Sequence, residues 1–493
     1  VSDTAGAVDE VRMGSARGRW ILLTTVLGSG LALLDATVVN VALERIGAEF
    51  DASFAALQWT VNGYTLTLAG LILLGGSLGD RLGRRRIFLV GVVWFALASA
   101  LCGLAPSVEF LIAGRALQGV GGALLTPGSL ALISASFHGE DRAAAIGAWS
   151  GLGGVAGAIG PFLGGWLVEW TWRAVFLINL PLAAIVLAVA LRHVPESKDP
   201  EAAHHLDIPG TVLAVAGLGA LTWALTAAGE DGTTPAVLVT AAAGVLALAA
   251  FVLVERRARA PLVPGELFAD ARFTGANLVT LLVYGALGVH FVLVVLQLQV
   301  AGGFSPLAAG TAMLPITIIM LLLSARSGRL AQRIGPRWPM TVGLLLAAAA
   351  MLWLSRIGPG ASYLVDVLPP VALFGLGLAG TVAPLTATVL DAADDRHAGI
   401  ASGVNNAIAR AAGLLAVAFV PALAGISGTD YEDPVAFSAG YRTAMIICAG
   451  LLVAGAALSA VLLRPRTAAG SPTRFRTEDC AHCGISAPQQ HPR

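Results

Sequence analysis

Fourteen apolar runs of roughly twenty residues, separated by short polar connections, dominate the chain. A run of that length is what an α-helix needs to cross a bilayer at about 1.5 Å per residue. The runs fall near 20–43, 56–78, 87–105, 108–134, 142–168, 174–194, 208–228, 236–256, 273–300, 306–327, 338–356, 363–390, 399–425 and 440–463. Only 12% of the 493 residues are charged, about half the share in soluble proteins. The 59 Gly and 24 Pro scattered through apolar stretches suit helices in lipid, where backbone hydrogen bonds have no competitor. Thirty basic against thirty acidic residues leave no excess charge to hold a nucleic-acid backbone. No connection is long enough for a fused soluble domain, and no G-x-x-x-x-G-K-[ST] phosphate loop is present, which argues against ATP hydrolysis as a driving force. The reading is an all-α polytopic membrane protein whose surroundings are the lipid bilayer and which binds no nucleic acid.

Charge orients the spans. With a cytoplasmic N-terminus, 24 of the thirty basic residues fall in inside segments, four outside (Arg45, Arg173, Arg356, Arg442) and two within spans (Arg115, Arg410). The positive-inside rule then places both termini in the cytoplasm and requires an even number of spans. Residues 1–19 are polar, and the run after them is too long for the core of a cleavable signal, so the first span is expected to stay as an anchor. Lys198 is the one lysine, and the first residue is Val; both point to a GC-rich bacterial gene with an alternative start codon, hence to the bacterial inner membrane.

Four cysteines do not make a disulfide framework in a chain of this length. Cys102 and Cys448 lie in apolar runs and read as small buried hydrophobes. Cys480-Ala-His-Cys483, in the polar tail, has metal-ligand spacing but lacks a second Cys/His pair, so a solvated tail is the simpler reading. No cofactor or metal is expected.

An internal repeat divides the chain. Gly76-Ser-Leu-Gly79-Asp80-Arg81-Leu-Gly83-Arg84-Arg85-Arg86 follows the second run, and Gly328-Arg329-Leu-Ala-Gln332-Arg333-Ile-Gly335-Pro336-Arg337 follows the tenth, 252 residues later. The Gly-rich fifth and thirteenth runs align at nearly the same offset, Gly160 against Gly413. The organisation read from this is a segment 1–19, a six-helix bundle at 20–194, a linker with two inserted helices at 195–272, a second six-helix bundle at 273–463, and a tail at 464–493. Paired six-helix halves point to a transporter with a site at their interface, acting as a monomer.

Five motifs make the family recognisable. Leu33-Leu34-Asp35-Ala36-Thr37-Val38-Val39-Asn40-Val41-Ala42-Leu43, the loop Gly76–Arg86, Leu111-Ile-Ala-Gly-Arg115-Ala-Leu-Gln118-Gly119-Val-Gly121-Gly122-Ala123, Gly153-Gly154-Val-Ala-Gly157-Ala-Ile-Gly160-Pro161-Phe-Leu-Gly164-Gly165 and Trp172-Arg173-Ala-Val-Phe176-Leu-Ile-Asn179-Leu-Pro181 stand in family order. Over residues 20 to about 463 the chain resembles the major facilitator superfamily, in its fourteen-span drug:proton antiporter branch. The resemblance implies a major facilitator fold of two six-helix bundles plus two inserted helices, with coupling roles for Asp35 and Arg115. It implies a cytoplasmic gate around Gly79, Asp80, Arg81, Gly83 and Arg84, and an exporter motif formed by Gly153, Gly157, Gly160, Pro161, Gly164 and Gly165. Two positions depart from the pattern: Glu44 replaces a usual Pro, and Gln332 stands where the second loop often repeats Asp80, so less charge locking is expected in the second half.

The residues carry their own physical reading. Asp35 is the one carboxylate deep in the first six spans, where an ionised acid costs about 2.5–3.5 kcal/mol. Counted from the span ends, it lies at the depth of Arg115. Arg115 keeps its charge, so a coupled proton would be carried by Asp35, with desolvation and the arginine acting on it in opposite senses; a static pair locking the first helix to the fourth is the alternative. The helix-five glycines are small-xxx-small pairs for close packing, and Pro161 can bend the helix. The loop arginines satisfy the topology rule even without a gating role.

Asn40, Gln118, Asn179, His290, Asn405, Asn406 and Arg410 are the polar candidates for a substrate cavity. His290 titrates near neutrality when unperturbed, but a hydrogen-bonded His near the outer end is the blander reading; Asn405 and Asn406 could touch ligand or bind neighbouring helices. Tyr64, Trp59, Trp149, Phe176 and Tyr284 offer aromatic surface, or anchor span ends. One deep acid points to about one proton per cycle and a neutral, amphipathic or singly cationic substrate. The leading expectation is proton-driven efflux of hydrophobic or amphipathic drugs or antibiotics, conferring resistance. The alternatives are a dedicated exporter of an endogenous metabolite such as a self-made antibiotic, and a non-transporting membrane sensor. No H-E-x-x-H or Ser/His/Asp constellation supports an enzyme.

Overall fold

A computed structural model describes residues 12–198, 207–258, 263–392 and 398–463. The tail, with Cys480 and Cys483, lies outside the described residues. All the regular elements described are helical: α1 (Ala16–Phe50), α2 (Phe54–Leu82), α3 (Arg84–Gly103), α4 (Val108–Ser136), α5 (Gly139–Trp170), α6 (Ala174–Leu177), α7 (Asn179–His193), α8 (Ile208–Asp231), α9 (Pro235–Arg257), α10 (Ala271–Val300), α11 (Pro306–Ala312), α12 (Leu314–Ile334), α13 (Arg337–Leu354), α14 (Leu368–Asp391), α15 (Ala398–Leu423) and α16 (Pro434–Leu462). Among the described residues, thirteen helical segments are long and apolar enough to cross a membrane. The fourteenth expected span corresponds to α5, whose 32 residues extend about 48 Å.

Many helix starts are set by a short polar side chain that accepts a hydrogen bond from a first-turn N–H. Ser15, Ser53, Ser107, Asp207, Thr234, Ser305 and Asp433 all do so, satisfying donors that have no intrahelical partner. Prolines set the breaks. The sixth span is interrupted at Ile178, just before Asn179-Leu180-Pro181, and the tenth at Met313, before Leu314-Pro315, where the missing proline N–H cannot continue the ladder.

The first helix differs from expectation in length. The charges Glu44, Arg45 and Glu49 read as a loop in sequence, yet α1 continues through them to Phe50. Its last two turns are held by neighbours: Glu49 accepts hydrogen bonds from Trp172 Nε1 (2.5 Å) and Arg173 Nη1 (2.6 Å). Asp35 therefore sits fifteen residues from the end of α1, near mid-helix and deeper than the eight residues that a span ending at 43 implies.

In the first half α4 packs against α2 and α3, and α1 against α4, α5 and α7. In the second half α10 packs against α15 and α16, and α14 against α12 and α13. The repeat is visible in backbone geometry: the turns after α2 and α12 pass through Gly83 (φ 119°) and Gly335 (φ 84°), 252 positions apart, in a region that side-chain-bearing residues avoid. The inserted helices α8 and α9 pack on each other, and α8 also lies against α2 and α15, one from each half.

The halves meet through α5 with α11, α2 with α15, and α1 with α10. The α5–α11 crossing needs glycine on both sides. A β-carbon at Gly165 would lie 2.5 Å from the Pro306 carbonyl, and one at Gly310 would strike the carbonyl of Pro161. On the neighbouring face of α5, a β-carbon at Gly160 would strike Thr37 and one at Gly164 would lie 3.0 Å from the Val38 carbonyl of α1. Gly153 and Gly157 also lie in α5; their surroundings are outside the described residues.

The hydrogen bonds between the halves gather at one end. Gln58 Nε2 donates to Val417 O (2.6 Å), Tyr431 Oη to Ala52 O (2.6 Å), Phe54 N to Gly428 O (2.7 Å) and Gln299 Nε2 to Val41 O (3.2 Å). All four lie toward the end opposite the arginine-rich α2–α3 turn. Among the described residues no hydrogen bond or ion pair joins the halves at the arginine-rich end. The chain is thus closed at its far end.

Replacing Gly310 by Val should overpack the α5–α11 crossing at a cost of about 1–3 kcal/mol. Spin labels at the exposed Asp51 and Thr429 should then report longer distances than in the parent, together with a lower melting temperature; an unchanged distance distribution would mean that this crossing does not hold the far end shut.

Candidate functional site

Asp35, on α1, and Arg115, on α4, are almost wholly inaccessible, at 0% and 1% exposure. Arg115 Nη1 donates to Asp35 Oδ2 at 2.5 Å and to Gln118 Oε1 at 2.6 Å, while its Nε donates to the Thr60 carbonyl of α2 at 3.0 Å. The second carboxylate oxygen, Oδ1, accepts from Gln118 Nε2 (2.8 Å) and Asn179 Nδ2 (3.1 Å). Both amides also reach Ser99 Oγ on α3, at 2.7 and 3.3 Å. The guanidinium lies under the Tyr64 ring, 4.4 Å from its centroid, and 5.7 Å from that of Phe176. Every partner of the carboxylate is thus an N–H donor.

The helix geometry makes this assembly. Arg115 and Gln118 are three apart on α4 and share a face. Asn179 is brought to the same point because the sixth span breaks at Ile178 and α7 restarts there. The cluster ties α1 to α4 and α7, and Ser99 links the two amides to α3. Its coulombic gain in low dielectric is largely offset by desolvation, so its role is positional: it fixes four helices relative to one another around one charge.

The remaining candidates separate into distinct environments. Asn40 is buried on α1 and its Oδ1 has no partner among the described residues. His290 is wholly buried on α10, with neither ring nitrogen partnered among the described residues, 4.2 Å from the Phe374 ring centroid and 5.2 Å from that of Phe291. The expected hydrogen bond is absent because the ring packs among apolar rings rather than near a polar helix end. Asn405 Nδ2 donates to Asn277 Oδ1 (2.9 Å) and Thr280 Oγ1 (2.8 Å), which fastens α15 to α10. Asn406 is exposed and bonds the Ser402 carbonyl of its own helix.

Arg410 stands apart. It lies twelve residues from one end of α15 and thirteen from the other, about 18–20 Å from either, too far for its side chain to reach a membrane surface. Among the described residues it makes no hydrogen bond or ion pair. Its helix packs against α2 of the first half and α10 of the second, so it lies beside the seam between the halves. Holding such a cation unpaired costs about 2.5–3.5 kcal/mol on insertion scales.

The loop after α2 is organised within its own half. Asp80 pairs with Arg84 one turn on, at 2.8 Å. Glu196, beyond α7, caps α3 by accepting from the backbone of Arg85 (3.0 Å) and Arg86 (3.2 Å). Gly79 and Gly83 are buried, and Arg81 is partly exposed without an ion pair. Sequence reasoning missed Ser99, Glu49 and Glu196, because a serine in an apolar run and acids at span ends carry no local signal; each acts on residues 19 to 124 positions away.

Two cavities among the described residues lie elsewhere. One, of about 410 Å³, is lined by α12, α13 and α14, including Arg326 and Trp338; the other, of about 320 Å³, lies between α8 and α10, α15 and α16. Both are apolar grooves between neighbouring helices and neither touches Asp35 or Arg115. Among the described residues no group of three or more His, Cys, Asp or Glu is arranged to hold a metal.

Truncating one member of the pair should be costly. Arg115→Ala leaves a buried carboxylate uncompensated and should cost about 3–5 kcal/mol, read as a lower melting temperature in detergent. The double variant Asp35→Asn/Arg115→Gln should recover part of that loss. Additive losses in the double variant would show that the two side chains are energetically independent.

Comparison with known proteins agrees with this architecture. A family model of the Major Facilitator Superfamily matches residues 25–417. The puromycin resistance protein pur8 of Streptomyces alboniger is 36% identical over 470 residues, covering 92% of this chain and 93% of that protein. The methylenomycin A resistance protein of Bacillus subtilis is 36% identical, covering 85% and 90%, and the cephamycin export protein CmcT of Amycolatopsis lactamdurans is 37% identical, covering 88% and 90%. Among solved structures, a bacterial homologue of the human lysosomal transporter Spinster, inward-facing and unoccupied, shares the fold with a TM-score of 0.62 at 19% identity, covering 92% of this chain and 98% of that one. A transporter of the POT family in complex with 5-aminolevulinic acid gives 0.67 at 13% identity, covering 92% and 98%. With the helical repeat, the motif order and these matches together, the chain belongs to the Major Facilitator Superfamily.

Proposed function

We propose that this multi-pass membrane protein is a proton-driven exporter of hydrophobic or amphipathic drugs or antibiotics, located in the bacterial inner membrane and conferring resistance on its host. The observation that carries the proton part of this reading is the buried Asp35 carboxylate, with N–H donors from Arg115, Gln118 and Asn179 on both of its oxygens. The relatives named for antibiotic resistance or export support the cargo class.

The arginine-rich end is assigned to the cytoplasm by the positive-inside rule, with both termini on that side. The far-end hydrogen bonds then correspond to closure on the outside, a state that receives cargo from the cytoplasm. Ionised Asp35 satisfies three N–H donors at once. Protonation would turn one oxygen into a donor facing those N–H groups, break part of the set, and loosen α1 from α4 and α7. Because α1 also contacts α5 and α10, that loosening reaches the interface between the halves. The Asp80–Arg84 turn, with Gly79, Arg81 and Gly83, is the natural cytoplasmic gate, engaging the second half when that side closes.

The energetics are adequate. One proton moving inward contributes about 2.3 kcal/mol per 100 mV and about 1.4 kcal/mol per pH unit, enough together for a roughly 500-fold gradient of a neutral cargo. The same mechanism would serve a dedicated exporter of a self-made antibiotic; the presence of named export proteins among the relatives keeps that reading alongside multidrug efflux.

In proteoliposomes with an imposed pH gradient, the parent should accumulate at least one of a panel of antibiotics, and Asp35→Asn should lose gradient-driven accumulation. Undiminished pH dependence in Asp35→Asn would remove Asp35 from the coupling role.

A further inference from the structure

The α2–α15 seam contains a feature that proton coupling does not use. The two helices run antiparallel. A β-carbon on Gly403 would lie 3.2 Å from the Leu73 side chain, and the Val417 carbonyl accepts from Gln58. Arg410 is halfway between Gly403 and Val417, so it is level with the stretch of α2 around Tyr64 and Thr65. On the α10 side, the helix crossing is tight, with a β-carbon on Gly288 only 2.9 Å from the Gly413 Cα. Arg410 is one turn before Gly413, whose β-carbon would lie 3.7 Å from the Tyr284 carbonyl, so it is level with that part of α10, and the Tyr284 hydroxyl makes no hydrogen bond among the described residues. A guanidinium on α15 and a phenol on α10, neither hydrogen-bonded among the described residues, therefore sit at about the same depth beside the seam between the two halves.

The charge around this point is one-sided. The Asp35 and Arg115 charges cancel within their own pair and are sealed off behind the Tyr64 ring, which lies over the Arg115 guanidinium. On α10 to α16 the acids of the described residues are at helix ends or in connections: Asp270, Asp366, Asp391, Asp430, Glu432 and Asp433. None lies within several turns of Arg410. Among the described residues, the net charge at this level of the seam is that of one uncompensated arginine.

We propose that Arg410 and Tyr284 form the polar end of the cargo site, and that the preferred cargo is an amphipathic molecule with an aromatic or alicyclic body and one anionic oxygen group, a carboxylate, enolate or phenolate. This rests on the exporter reading and sharpens it: the expectation of a neutral, amphipathic or singly cationic substrate counted the single deep acid and did not weigh the charge of Arg410. An arginine offers a planar fork of N–H donors that matches a carboxylate, and a low-dielectric setting strengthens that contact while repelling a cation. Proton and cargo then occupy separate sites on either side of Tyr64 and do not compete for one charge. Exporting a monoanion while importing a proton moves two charges in the direction favoured by an inside-negative membrane.

The test uses two probes with the same body and opposite charge, 1-naphthoate and 1-naphthylmethylammonium, titrated calorimetrically into the protein in nanodiscs with empty nanodiscs subtracted. The parent should bind naphthoate more tightly than the ammonium. Arg410→Gln should weaken naphthoate roughly ten- to a hundredfold, the worth of a charge-assisted hydrogen bond, and leave the ammonium unchanged or tighter. Arg410→Lys, which keeps the charge but loses the planar fork and guards against a misfolded variant, should bind naphthoate with an affinity between those of the parent and Arg410→Gln, and Tyr284→Phe should show a smaller loss confined to naphthoate. Preference for the ammonium, no naphthoate binding, or equal weakening of both probes in Arg410→Gln would overturn the assignment. Charge-selective binding without flux under a pH gradient would count against proton-driven export while leaving this site standing.

Discussion

A carboxylate in the middle of a bilayer has to be neutralised or paired, and the first half of this protein is built around how that is done. Asp35 is met by Arg115 on α4 and by amides from α4 and α7, with Ser99 of α3 holding those amides in turn. Four helices are thereby fixed by one charge. Such a cluster adds little net stability, because desolvation consumes most of the attraction, but it is sensitive: a change of one proton alters the hydrogen-bond balance of every helix it touches. A group whose energetic worth is near zero in one state and strongly changed in another is what a coupling element requires.

The interface between the halves follows a different physical rule. Lipid offers no hydrophobic driving force for helix association, so close backbone approach and hydrogen bonds carry it. Glycines on α5 and α11 permit the approach, and backbone carbonyls at Ala52, Val41, Val417 and Gly428 accept the bonds across the far end. These are shallow, local contacts that can be exchanged for others at the opposite end. The inserted pair α8 and α9 adds a lid on one side only, where α8 spans the seam of α2 and α15; the α5–α11 side has no such cover among the described residues.

Polar residues of the two halves have been put to different uses. In the first half Arg115, Gln118, Asn179 and Ser99 are spent on the Asp35 carboxylate, and Gln58 on the contact with the second half. In the second, Asn405, Asn277 and Thr280 are spent on holding α15 to α10, and His290 is enclosed among aromatic rings. Arg410 and the Tyr284 hydroxyl make no hydrogen bond among the described residues, so the asymmetry between halves, rather than either half alone, motivates the proposal for the cargo.

Much of this was written in the order of residues. Periodic apolar runs, the bias of arginines to one set of connections and the 252-residue echo gave span number, repeat and fold, because burial in lipid leaves helices as the only economical backbone and each span must satisfy that constraint locally. The pairing of Asp35 with Arg115 was also legible, from depth alone, even though α1 proved seven residues longer at its far end than its charges implied. The tertiary structure alone decided which polar side chains are spent and which are free. Ser99, Glu49 and Glu196 gained their roles from partners far along the chain, Asn405 was claimed by α10, and Arg410 was left without a partner among the described residues. A hydrogen-bond partner brought from another helix leaves no periodic trace in either strand of sequence, so the use of each polar group is settled only when the helices come together.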